Sequence, residues 1–117
     1  MEFVAFVGSD KENWGQVVAL LKRVEAKKKI LVINKNVEGF PEENVEVIKI
    51  DCEQPILKLK KDLMEKLKKV LTGDFEVTLS LASGNGKEHM ALIGALLSIP
   101  VGIKIVAYTK EGVQSIN

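Results

Sequence analysis

Five short apolar runs recur along this chain, at residues 3–7, 30–33, 45–50, 75–82 and 101–108, with helical-period or turn-rich stretches between them. Strands that alternate with helices build a parallel sheet through right-handed crossovers. The first run, Phe3-Val4-Ala5-Phe6-Val7, is apolar at every position, so its strand must be covered on both faces. Glu46 and Lys49 interrupt the third run, which places it at a sheet edge. The fold class is therefore α/β: a Rossmann-like three-layer sandwich with a mainly parallel five-stranded sheet, order 3-2-1-4-5, and helices on both faces. A length of 117 residues fits one domain, residues 1–117, with a single real core.

The connecting segments carry their own signals. Ser9 and Glu12 have the spacing of a capping box, and Trp14, Val17, Val18, Leu21 and Val24 then recur at helical spacing. Lysines 27–29 suit the C-terminus of that helix. A second helix opens with Pro55 in its first turn, runs on Ile56, Leu59, Leu63, Leu67 and Val70, and ends at Gly73. Its lysines at 58, 60, 61, 66, 68 and 69 read as a solvated face. In the fourth run, Glu76, Thr78 and Ser80 alternate with Phe75, Val77, Leu79 and Leu81; Thr and Ser are small enough to pack beneath a helix. A third helix spans about residues 87–98, and Pro100 stops it. The tail, 109–117, reads as polar and short, without an element of its own.

Composition narrows the function classes. A net charge of +1 supplies no global field for long nucleic acid or a membrane, so any anion site must be local. One cysteine excludes an internal disulfide, and His89 with Cys52 is too small a set for a metal centre. No metal or cofactor is expected. The N-terminus has neither a basic n-region nor a small-residue cleavage site, which points to the cytoplasm.

Order 3-2-1-4-5 makes strands 1 and 4 neighbours, and the crevice beyond their C-terminal ends is the switch point at which such sheets bind ligands. Two loops meet there: Gly8-Ser9-Asp10, and Ser83-Gly84-Asn85-Gly86-Lys87. The second opens a helix, so backbone N–H groups and the positive end of the helix dipole converge on one space, with the Lys87 ammonium beside it. Phosphate is the anion such a junction suits. Asn85 and Glu88 have capping-box spacing, and Gly84 or Gly86 is expected to supply positive φ or room for a phosphate. The loop lacks the first glycine and the Ser/Thr of a P-loop. From Met90 to Leu97 the third helix carries no polar side chain, and a helix apolar all round must be buried all round. A second copy across a two-fold axis supplies that cover, with Met90, Ile93, Gly94 and Leu97 in the interface.

These loops and the apolar helix after them resemble the CARF family, the CRISPR-associated Rossmann-fold ligand sensors, over most of the chain. The resemblance implies a homodimer that binds a cyclic oligoadenylate across its axis in antiviral defence, through Gly8, Ser9, Asp10, Ser83, Gly84, Asn85, Gly86 and Lys87. It also implies a separate effector protein as partner, since no effector domain follows Tyr108. The family includes metal-independent ring nucleases, and Ser9 and Lys87 fall where those carry their catalytic serine and lysine. Two alternatives thus stand beside the sensor: slow cleavage of cyclic tetra-adenylate, and binding of another nucleotide or phosphate by a Rossmann-like protein.

Overall fold

A computed structural model describes residues 1–73 and 75–117. Strand β1 (Glu2–Val7) leads through a 3-10 turn (Lys11–Asn13) into helix α1 (Trp14–Arg23). Strands β2 (Lys28–Asn34) and β3 (Glu46–Ile50) follow, then helix α2 (Ile56–Val70), strand β4 (Glu76–Ser80), helix α3 (Gly86–Ser98) and strands β5 (Gly102–Thr109) and β6 (Gly112–Ser115). The sheet runs β3-β2-β1-β4-β5-β6. The first five strands pair in parallel, and β6 pairs antiparallel with β5. The molecule is a Rossmann-like α/β sandwich.

The expected order of five strands holds, and β3 lies at the edge where its charges placed it. The sixth strand corrects the reading of the tail. Gly112, at φ +97, turns the chain back along β5. Beyond it, Ile116 N–H donates to the Ile105 carbonyl, while the Asn117 side chain accepts from Ile105 N–H and donates to the Ile103 carbonyl. A mostly polar segment becomes a strand there because backbone pairing holds it, with Val113 packing against the core under α1.

The sheet divides the interior in two. Val4, Phe6, Ile30, Val32, Ile48, Ile50, Val77 and Leu79 pack under α2 and α3. Phe3, Ala5, Val7, Leu31 and Ile33 pack under α1, with Phe40 from the β2–β3 connection beside them. Each side of β1 thus has its own cover, as its unbroken apolar run requires. Thr78 and Ser80 are buried, fitting the space that larger side chains would overfill. Phe75 departs from the expected alternation: it lies before β4 begins and is 97% exposed.

Three expected helix ends differ. Ser9 and Glu12 form no capping box; α1 begins at Trp14, and the side chain of its N-cap residue, Asn13, makes no capping bond, donating to Asp10 instead. Lysines 28 and 29 belong to β2, not to the end of α1, although Lys29 Nζ still donates to the Leu21 carbonyl in the last turn of α1. Helix α2 ends at Val70, with Leu71 extended behind it, three residues before the left-handed Gly73. Its apolar stripe holds, since Leu59, Leu63 and Leu67 are fully buried.

Candidate functional site

The crevice is built where β1 and β4, hydrogen-bonded neighbours, release the chain into their following loops. Gly8 N–H donates to Ser83 Oγ at 2.9 Å, and Ser83 Oγ donates to Asp10 Oδ1 at 2.6 Å. Gly84 N–H donates to the same carboxylate oxygen at 3.0 Å, and Asn13 Nδ2 donates to Oδ2 at 2.7 Å. Partial burial works against the charge on Asp10, yet the Ser83 hydroxyl, the Asn13 amide and the Gly84 N–H together hold its carboxyl below the usual range. Across this seam, four of the expected ligand residues, Gly8, Asp10, Ser83 and Gly84, bond to one another.

Gly84 makes the seam close. Its φ is +108, and a Cβ there would lie 2.7 Å from Phe6 Cδ1 and 2.9 Å from His89 Nε2. A Cβ on Gly8 would lie 2.9 Å from Gly84 Cα. His89 Nε2 sits 2.7 Å from the Ser83 carbonyl. A carbonyl only accepts, so the ring carries its hydrogen on Nε2 in this contact. His89 therefore braces the loop from below. Gly86 behaves differently from Gly84: it has no positive φ, and the space around its Cβ position is open.

Helix α3 starts as expected. Asn85 Oδ1 accepts from Glu88 N–H and Glu88 Oε1 accepts from Asn85 N–H, both at 2.9 Å. This capping box satisfies Glu88, and His89 N–H reaches the Asn85 carbonyl at 3.0 Å. Among the described residues, nothing accepts from the N–H groups of Gly86 and Lys87, at the positive end of a helix of 13 residues. Ser9, Asn85 and Gly86 are exposed beside them.

Lys87 reaches sideways. Its Nζ donates to the Cys52 carbonyl at 3.0 Å, tying the start of α3 to the loop after β3. That loop also holds Asp51, whose carboxyl lies below its usual range because Glu53 N–H bonds it and Lys35 stands 3.5 Å away. The Cys52 thiol is pushed up to about 12 by burial and by the Glu88 carboxylate beside it. It is a neutral, inert sulfur, and no Cys–His pair forms, since His89 is engaged with Ser83. Among the described residues no group of three or more His, Cys, Asp or Glu side chains is arranged to hold a metal ion. Nor is any helix among them long and apolar enough to cross a membrane.

One residue near the crevice carries no signal among the loop motifs above. Asn34 is the last residue of β2; it is 9% exposed, and its Oδ1 has no hydrogen-bond partner. A polar residue directly after Ile30-Leu31-Val32-Ile33, at a strand end facing the switch point, was the signal available.

On α3, Met90 is 62% and Leu97 58% exposed, while Ile93 and Gly94 are half-buried. A Cβ on Gly94 would meet Lys60 Cγ of α2 at 3.5 Å. Helix α2 thus covers part of the apolar surface of α3, and the exposed remainder centres on Met90 and Leu97, two turns apart on one face. No protein-family model matches this chain, and no curated protein matches it in sequence.

Proposed function

We propose that the crevice at the start of α3 recognises phosphate in a nucleotide ligand, and that the ligand is a cyclic oligoadenylate bound by a homodimer across its two-fold axis. The observation that carries this reading is the open first turn of α3. Two N–H groups without acceptors, those of Gly86 and Lys87, stand at a positive helix end, at the switch point of a parallel sheet, while the Lys87 ammonium is held on the Cys52 carbonyl. The Asp10 seam gives that turn a fixed position before any ligand arrives, which lowers the ordering cost of binding. Asp10 and Glu88 are both bonded into the framework, so their charges face amides rather than the open turn. The CARF resemblance supplies the identity of the ligand and the role in CRISPR-linked antiviral signalling with a separate effector protein. The exposed Met90 and Leu97 supply the surface on which two copies would meet.

Calorimetric titration with cyclic tri-, tetra- and hexa-adenylate, with ATP and inorganic phosphate alongside, tests the reading. Saturable binding of one ring per two chains is expected. Binding of ATP with no binding of any ring would reassign the site to another nucleotide. Silence for all of them would remove phosphate recognition from this crevice. Resolving the ring mixture after long incubation reports whether the protein also opens it to linear products.

A further inference from the structure

A buried side-chain carbonyl without a donor is uncommon in a folded protein, because nothing replaces the water it gave up. Asn34 Oδ1 is such a group. The backbone around it is satisfied: its carbonyl accepts from Val37 N–H at 2.9 Å, and the next residue, Lys35, donates N–H to Ile50 O at 2.8 Å. Only the carboxamide is left over.

The register says where that carboxamide lies. Side chains alternate along β2: Ile30 and Val32 belong to the core under α2 and α3, Leu31 and Ile33 to the core under α1. Asn34 therefore faces the α2–α3 side, at the crevice end of the strand. On one flank it pairs with Ile50, two residues before the Cys52 whose carbonyl holds Lys87 Nζ. On the other, one step past the Val7–Ile33 pair, stands Gly8, against which Gly84 packs. The first turn of α3 is held to β1 on one side and to the loop after β3 on the other. Between those strands lies β2, which Asn34 ends. The unpaired acceptor, closed to solvent in the free protein, thus lies at the same end of the sheet as the two unpaired donors at the start of α3.

An anion alone satisfies the two amides and leaves Asn34 unpaired. A ligand that satisfies all three carries a donor close beside a phosphate. In a 3′–5′ linked ribonucleotide each phosphate has a 2′-hydroxyl next to it, whereas the adenine amino group lies at the far end of the nucleoside. We infer that Asn34 is a specificity-determining residue: its carboxamide turns on binding so that Oδ1, buried in the free protein, accepts a hydrogen bond from a ribose 2′-hydroxyl while the amides of Gly86 and Lys87 hold the adjoining phosphate. This rests on the phosphate reading above and adds to it a demand for ribose.

The test compares cyclic tetra-adenylate with its all-2′-deoxy counterpart, on the wild-type chain and on Asn34→Ala. The wild type should bind the ribose ring at least about tenfold more tightly than the deoxy ring, and Asn34→Ala should bring the two to parity. Equal affinity of the wild type for both rings would overturn the role of Asn34 and leave phosphate recognition standing. A ribose preference that survives Asn34→Ala would overturn it as well. Failure of both rings to bind would remove the ring reading and the role of Asn34 with it. A second variant needs no ligand. Asn34→Leu replaces an unpaired buried amide with an apolar side chain of similar size, so the melting temperature of the free protein should rise by about 4 °C. A fall in melting temperature would show that the carboxamide has a structural partner, and would overturn the inference.

Discussion

Asp10 stands among the predicted ligand residues, yet its carboxylate serves the protein, accepting from Ser83, Gly84 and Asn13. Replacing it with Ala leaves three donors unpaired in a partly buried seam and should destabilise the fold by about 2 kcal/mol near neutral pH. Its folded carboxyl is held below the ordinary value, so the charged form is the one the native state favours. That contribution is complete above about pH 4 and is lost as pH falls through the lower folded value. Urea midpoints of wild type and Asp10→Ala should therefore converge between about pH 4 and pH 2; a gap that stays constant down to pH 2 would contradict the assignment. The glycines of the second loop separate just as clearly. Gly84→Ala meets a left-handed φ and the Phe6 ring at 2.7 Å, and should cost about 3 kcal/mol. Gly86→Ala meets open space and should change the melting temperature little or raise it. Equal losses at the two positions would refute this account of the loop.

At the scale of elements, the proposed ligand site rests on the start of α3, and one substitution isolates it. Gly86 is the first helical residue, where proline is favoured and only an orphan N–H is lost. Asn85 before it is already extended, at φ −114 and ψ 177, as a residue preceding proline must be. Gly86→Pro should preserve the circular dichroism spectrum and melting temperature while weakening ring binding by about 1 kcal/mol or more, measured by calorimetry. Unchanged affinity would show that this amide does not touch the ligand. The same element explains what was legible in the sequence. The Asn85–Glu88 spacing, the apolar stripe of α2 and the unbroken β1 are local patterns, and each formed as its spacing implied. Ser9 and Glu12 had a capping spacing too, but the Asp10 carboxylate is drawn to Ser83 and Gly84, and the chain takes a 3-10 turn there before α1. That partner lies 73 residues away in sequence, beyond any local pattern. Strand β6 escaped for a related reason: its stability comes from the edge of β5, and nothing in a polar tail announces which edge is free. Asn34 stands outside every motif, because burial without a partner is a property of the folded neighbourhood alone.

For the whole molecule, the surface of α3 sets the expected assembly. Helix α2 takes one side of α3, and Met90 and Leu97 remain open on a domain of 12.9 kDa. Light scattering at micromolar concentration should give twice that mass, and Met90→Glu with Leu97→Glu should return it to one. A monomer in the wild type would remove the two-fold ring site with it, leaving the phosphate crevice to be judged alone. The interior raises a separate matter, because the sheet parts it into two cores that share no side chain. Lys28 and Lys29, consecutive in β2, point to opposite faces. Lys28 Nζ holds the Val70 carbonyl at the end of α2 at 2.6 Å, and Lys29 Nζ holds the Leu21 carbonyl near the end of α1. One strand thereby grips the last turn of a helix on each side, so neither layer can peel away without disturbing the pairing that seats the other. Thermal unfolding should then be cooperative: the fluorescence of Trp14, which reports only the α1 layer, and the far-ultraviolet dichroism of all three helices should trace a single coincident transition. With both lysines replaced by Met the two curves should separate, and the layer that α1 covers, with only one helix over it, should be the first to melt.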